Sequence, residues 1–150
     1  LTYEGQAAMS LEALALQPHA APTAAQQAHY TLSLSGSGPD APSPWQLDPA
    51  PLCAALLRDL EGGVPPASVA HAVHIALCQA IAAVVRRSGL SQVLLTGGVF
   101  QNRLLCEATR DRLAPHGVAV HLHAHVPPGD GGLAVGQALA AALDGADAVR

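Results

Sequence analysis

The sequence predicts an α/β domain with a mainly parallel sheet flanked by helices, and three observations carry that prediction. The final third alternates strand, helix, strand, helix. Its first strand, Gln92 to Thr96 (QVLLT), is a continuous apolar run, as expected for an interior strand covered on both faces. Both strands of that third lead toward glycine pairs at the foot of a helix, Gly97-Gly98 and Gly131-Gly132. With 150 residues, 50% of them hydrophobic and 3% aromatic, the chain predicts a single domain over 1–150 with a core of small side chains.

The elements follow in order. Residues 4–16 form a short amphipathic helix, broken by Pro18 to Pro22. Residues 28–35 (AHYTLSLS) alternate like a strand, closed by the polar turn 35–44. PWQLD is a short strand, and Asp48 caps a helix from Pro49 to Glu61, which Gly62-Gly63 ends. A longer helix over 67–88, apolar on most sides, stops at Gly89 and is buried on two faces. After QVLLT comes a helix from Gln101 to about Ala114, a strand from Val118 to His123, and a last helix from Gly131 to Leu143.

Composition excludes several functions. The net charge is −4, and the seven basic residues are all Arg, with no cluster to neutralise a nucleic-acid backbone. The absence of Lys rules out a Schiff-base or P-loop lysine within this chain. Three scattered cysteines, Cys53, Cys78 and Cys106, form no CxxC pair and read as buried thiols of a reducing, cytoplasmic protein. The longest apolar stretch, Val69 to Val85, is interrupted by His71, His74 and Gln79, too short and too polar for a membrane span. No GxSxG, HExxH, GxGxxG or Walker motif is present.

Three places carry chemistry. In LLTGGVFQN, Gly97 and Gly98 let the backbone bend and approach a ligand, and the helix start that follows offers free N–H groups to a phosphate, with Asn102 in its first turn. In PPGDGG, Asp130 is either a helix cap or a cation ligand, with Gly131 beside it, and the open-sheet rule puts both corners at one cleft. In YEGQ, Glu4 and Gln6 either contact a substrate or favour the helix dipole. His121, His123 and His125 would share one strand face, as metal ligands can, whereas His71 and His74 suit packing or surface hydrogen bonding.

LTYEGQAAM (1–9), TGGVFQNRLL (96–105) and VPPGDGGLAVGQ (126–137) resemble, in order, three signature stretches of the C-terminal domain of the HypF carbamoyltransferases. The resemblance implies an actin/Hsp70/sugar-kinase-like (ribonuclease H-like) lobe, the C-terminal portion of a TsaD-like domain whose preceding half and N-terminal domains lie outside this chain. It implies that the full protein uses carbamoyl phosphate and ATP, and that the carbamoyl group of carbamoyl-adenylate passes to the C-terminal cysteine of HypE. That step serves synthesis of the cyanide ligands of nickel–iron hydrogenase. Gly97, Gly98, Asn102 and Gly131 match nucleotide-binding turns, and Glu4 and Gln6 match the YEGQ motif. Asp130 matches a ligand of iron or zinc whose histidines (HxxxH) belong to the preceding half-domain. The resemblance gives the HLHAH run no role, needs no nucleophile in this chain and no nucleic acid or membrane partner, and implies an inactive isolated fragment. A TsaD-like or antibiotic O-carbamoyltransferase, or a non-catalytic nucleotide-binding module, would share the same turns.

Overall fold

The 23-residue helix α4 (Pro66–Ser88) is the axis of the fold. It starts with Pro at its first position, where the missing N–H costs nothing, and it stops at Gly89, whose φ of 70° ends the helix in the left-handed region. The chain, seen in a computed structural model, is described at residues 2–18, 20–38 and 44–147. Before α4 lie α1 (Gln6–Ala15), α2 (Ala24–His29), β1 (Ser33–Ser35), β2 (Gln46–Asp48) and α3 (Ala50–Glu61). After it come β3 (Gln92–Leu95), α5 (Arg103–Leu113), β4 (Ala119–Leu122) and α6 (Leu133–Asp147), with 3₁₀ turns at Gly98–Gln101, Ala114–His116 and Asp130–Gly132.

Alanines along α4 let neighbours come close. Ala70, Ala72, Ala76, Ala80 and Ala82 are all buried, and α1, α3 and α5 pack around them. One apolar cluster joins Val69, Val73 and Ala76 to Tyr30 and Ala55; a second joins Ala82 and Val85 to Leu113, Val93 and Val120. By length and composition α4 is long and apolar enough to cross a membrane, which corrects the expectation drawn from the shorter run Val69–Val85. Here it is the central core helix.

The sheet is smaller than expected. β3 and β4 pair in parallel from Gln92↔Ala119 to Leu95↔Leu122, while β1 and β2 form a separate antiparallel pair. The mainly parallel sheet is thus one parallel pair among the described residues. Nor is β3 covered on both faces: Val93 and Leu95 turn toward the core, but Leu94 is 56% exposed because no described element covers the outer face.

Two boundaries also move. Residues 28 and 29, expected to open the strand 28–35, instead end α2, which Thr23 and Gln26 start with a reciprocal capping box. Asp48 does reach the start of α3, its carboxylate accepting from the Ala50 N–H at 2.9 Å. Of the expected polar turn 35–44, positions 39–43 lie outside the described residues.

Candidate functional site: two apposed glycine corners

Parallel pairing of β3 and β4 sends both chains out at the same end of the sheet. Leu95, buried at 3% exposure, anchors the first exit. Gly97 follows with φ 96° and ψ 158°, a conformation that side-chain-bearing residues rarely adopt, and the chain enters the 3₁₀ turn. After β4 the chain returns through Val126–Gly129, and the second corner packs directly on the first.

The contact between the corners is intimate. Gly97 N–H donates to the Pro128 carbonyl at 2.8 Å. A Cβ on Gly129 would lie 3.4 Å from the Gly98 Cα and 3.3 Å from Gln101 Nε2, so glycine keeps the corners together. Within the second corner the sterically demanding position is Gly132, where a Cβ would collide with the Pro127 carbonyl oxygen. Gly131, the residue the sequence reading singled out, would meet only the Pro127 ring at 3.5 Å. Asp130 opens the third 3₁₀ turn, exposed, and its carboxylate caps nothing.

Main-chain amides divide into two groups. Among the described residues, the N–H groups of Gly98, Val99, Asp130 and Gly131 have no acceptor. Those at the start of α5 are all taken. Glu12 Oε1 on α1 accepts from Arg103 N at 2.7 Å and from Leu104 N at 3.3 Å, and Asn102 Oδ1 accepts from Leu105 N at 2.8 Å. The expectation that the helix start presents free amides to a phosphate is corrected: an internal carboxylate and a cap fill it.

Asn102 is also held from behind. Its Nδ2 lies 2.8 Å from Nε2 of the buried His74, whose Nδ1 lies 2.8 Å from the Ala70 carbonyl. One assignment satisfies the whole chain of contacts: Nδ1–H of a neutral His74 donates to Ala70, and Nε2 accepts from Asn102. Asn102 therefore orders the corner, with Nδ2 and Oδ1 both engaged by protein partners. Sequence reading missed Glu12 and His74 as parts of this site, because their partners lie 91 and 28 positions away.

The remaining candidates sit elsewhere. Gln6 Oε1 accepts from its neighbour Thr2, and Glu4 is exposed at the entry to α1. His71 Nδ1 lies 3.1 Å from the Ala15 carbonyl, tying α4 to α1. β4 ends at Leu122, so His123 and His125 fall beyond it; His121 contacts Gln92 and His123 contacts Thr96. Among the described residues no three His, Cys, Asp or Glu side chains cluster to hold a metal, and Asp130 on its own would offer one carboxylate to an ion that takes four ligands. Cys78 and Cys106 are buried, and burial pushes both thiols up. Cys53 is exposed, which corrects the reading of all three as buried. A groove of about 380 Å³, walled by Thr96, His123, Pro127 and Leu133, shares Pro128, Gly129 and Gly132 with the corners but none of Gly97, Gly98 or Asp130.

Comparison with known proteins gives a consistent answer. The family described as the second subdomain of the carbamoyltransferase Kae1-like domain matches residues 1–137. The chain is 42% identical over 146 residues to carbamoyltransferase HypF of Rhodobacter capsulatus, covering 94% of this chain and 17% of that protein. It is 30% identical over 140 residues to carbamoyltransferase HypF of Synechocystis sp., with 93% and 17% covered. It superposes on full-length HypF in a phosphate- and nucleotide-bound form with a TM-score of 0.71 and 27% identity, covering 94% of this chain and 21% of that one. For T.kodakarensis HypF the TM-score is 0.68 at 28% identity, over 91% and 16%. The chain spans about a fifth of the length of these relatives. Its three motif stretches thus sit within a match that runs from the first residue to the start of α6, and the chain belongs to the HypF carbamoyltransferase family.

Proposed function

We propose that this chain is one lobe of an actin/Hsp70/sugar-kinase-like fold whose two corners bind the phosphate of carbamoyl-adenylate. The full protein would make that intermediate from carbamoyl phosphate and ATP and pass its carbamoyl group to the C-terminal cysteine of HypE, toward the cyanide ligands of nickel–iron hydrogenase. The observation that carries the reading is the 2.8 Å bond from Gly97 N–H to the Pro128 carbonyl. It joins the two corners into a single edge on which the amides of Gly98, Val99, Asp130 and Gly131 stay free for an anion. A relative crystallised with phosphate and nucleotide supports the same ligand class.

In the transfer, the acceptor thiolate attacks the carbamoyl carbon. The C–S bond forms as the bond from that carbon to the phosphate oxygen breaks, and AMP leaves with the negative charge. Fixed N–H donors at the corners stabilise that charge as it develops on the phosphate. Asp130 would give one ligand to iron or zinc, completed by histidines outside this chain, and the bound cation would neutralise phosphate charge. Cys78 and Cys106 are buried and donate to main-chain carbonyls, so neither serves as a nucleophile. A reducing cytoplasm keeps the acceptor thiol free.

The test uses the full-length protein with ATP, carbamoyl phosphate and a peptide ending in the HypE cysteine, with the carbamoylated peptide measured by mass spectrometry. Asp130→Ala is expected to lower both bound metal and transfer by about 10- to 100-fold. Unchanged transfer and metal content would remove Asp130 from the site and favour a non-catalytic nucleotide-binding role for this lobe within the full protein.

A further inference from the structure

The carboxylate of Glu12 sits where a bound phosphate would be expected. It caps α5 from another helix, taking the N–H groups of Arg103 at 2.7 Å and Leu104 at 3.3 Å. This links α1, which opens with the YEGQ stretch, to the helix that follows the first glycine corner. A helix start carries a partial positive charge, so an ionised side chain held there resists displacement and fixes the approach of the two helices. Asn102 takes the third amide, and no N–H of the first α5 turn remains for a ligand.

We propose that Glu12 is a positioning residue for nucleotide binding: it locks the α5 start against α1 and thereby confines the phosphate to the amides of the preceding glycine corner. The inference rests on the nucleotide-binding reading given above. Glu12 touches no substrate and acts through the Gly97–Asn102 segment. Its carboxylate must span from α1 to α5, so chain length decides whether the two bonds form at all, and charge strengthens them once formed.

The experiment compares Glu12→Ala, Glu12→Asp and Glu12→Gln in the full-length protein. Two readouts are taken: amide hydrogen exchange over 97–105, and ATP affinity by calorimetry with KM and kcat for transfer. Glu12→Ala and Glu12→Asp are expected to speed exchange at Arg103 and Leu104 by roughly tenfold or more, the scale of losing a charge-assisted hydrogen bond. They should weaken ATP and raise KM by a similar factor, with kcat changed less. Glu12→Gln keeps the reach and an acceptor oxygen, and should recover most of both. If Glu12→Ala fails to fold, Glu12→Asp carries the comparison. Faster exchange with unchanged ATP affinity assigns Glu12 to stability alone and overturns the proposal, as does unchanged exchange. A wild-type protein that binds no ATP ends the nucleotide reading itself, and positioning for nucleotide with it; wild-type affinity in the variants ends the positioning role only.

Discussion

His74 Nε2 lies 2.8 Å from Asn102 Nδ2, and this one contact orients the cap of α5 from inside the core. His74 is 3% exposed, so its ring has no water to turn to if Asn102 is lost. Asn102→Ala should therefore cost more than an exposed cap: about 1 kcal/mol for the cap itself, and a further 1–3 kcal/mol for the buried nitrogen left unpaired. Asn102→Ser, which keeps a capping oxygen, should recover only the first part. Chemical denaturation of the full-length variants measures both; full recovery of stability in Asn102→Ser would show that the His74 contact contributes nothing.

The glycine pair of the second corner should prove asymmetric. Gly131→Ala adds a methyl at ordinary contact distance, whereas Gly132→Ala drives one into the Pro127 carbonyl and within 3.0 Å of Val126 Cγ1. The second change is expected to cost about 1–3 kcal/mol and to shift the corner, the first a fraction of that. ATP affinity of the two variants should separate in the same order, and equal affinities would contradict the packing described.

The corners were legible in the sequence because a glycine pair after a strand has a local physical cause, and so was α4, whose Pro start and Gly89 stop bracket one long apolar run. What fills the α5 start was not, since Glu12 reads as an ordinary surface acid until a partner 91 residues away is placed beside it. The helix at 24–29 was hidden for another reason: Thr23 and Gln26 carry the capping signal, yet the alternation that follows in 28–35 suggested a strand. Burial of β3 was over-read because an apolar run states what a strand needs covered, while no described residue covers Leu94.

The isolated chain should self-associate and transfer no carbamoyl group. Leu133, Val135, Leu139 and Leu143 on α6 are each 54–60% exposed, and Leu94 and Leu122 are 56% and 42% exposed. Exposed apolar side chains in that number drive association in water. Sedimentation at rising concentration should show growing mass. A strictly monomeric chain, or one that turns over carbamoyl-adenylate, would contradict this.

Thiol labelling should discriminate the three cysteines. Cys53 is exposed, whereas Cys78 and Cys106 are buried, with thiols pushed up by desolvation and Sγ donating to the Leu105 and Phe100 carbonyls. The thiolate is the reacting form, so native labelling at pH 8 should modify Cys53 within minutes and the other two only after unfolding. Peptide mapping reads the sites, and rapid native labelling of Cys78 would place it at the surface.

Tyr30 gives the chain a weakness at high pH. Its hydroxyl donates to Asp59 Oδ2 at 3.1 Å, and burial, reinforced by that hydrogen bond and the Asp59 charge, pushes the phenol up to about 12. The neutral form is thus favoured in the folded state. Below the unfolded value of about 10 neither state is ionised and the stabilisation is complete. Between about 10 and 12 the unfolded chain loses the proton and the folded one keeps it, so stability falls as pH rises through that window. Tyr30→Phe removes the hydrogen bond, at about 1–2 kcal/mol, together with the titration. Its melting temperature should lie below wild type at pH 9, and the gap should narrow toward pH 11.5; a gap that stays constant would mean that the Tyr30 phenol ionises alike in both states.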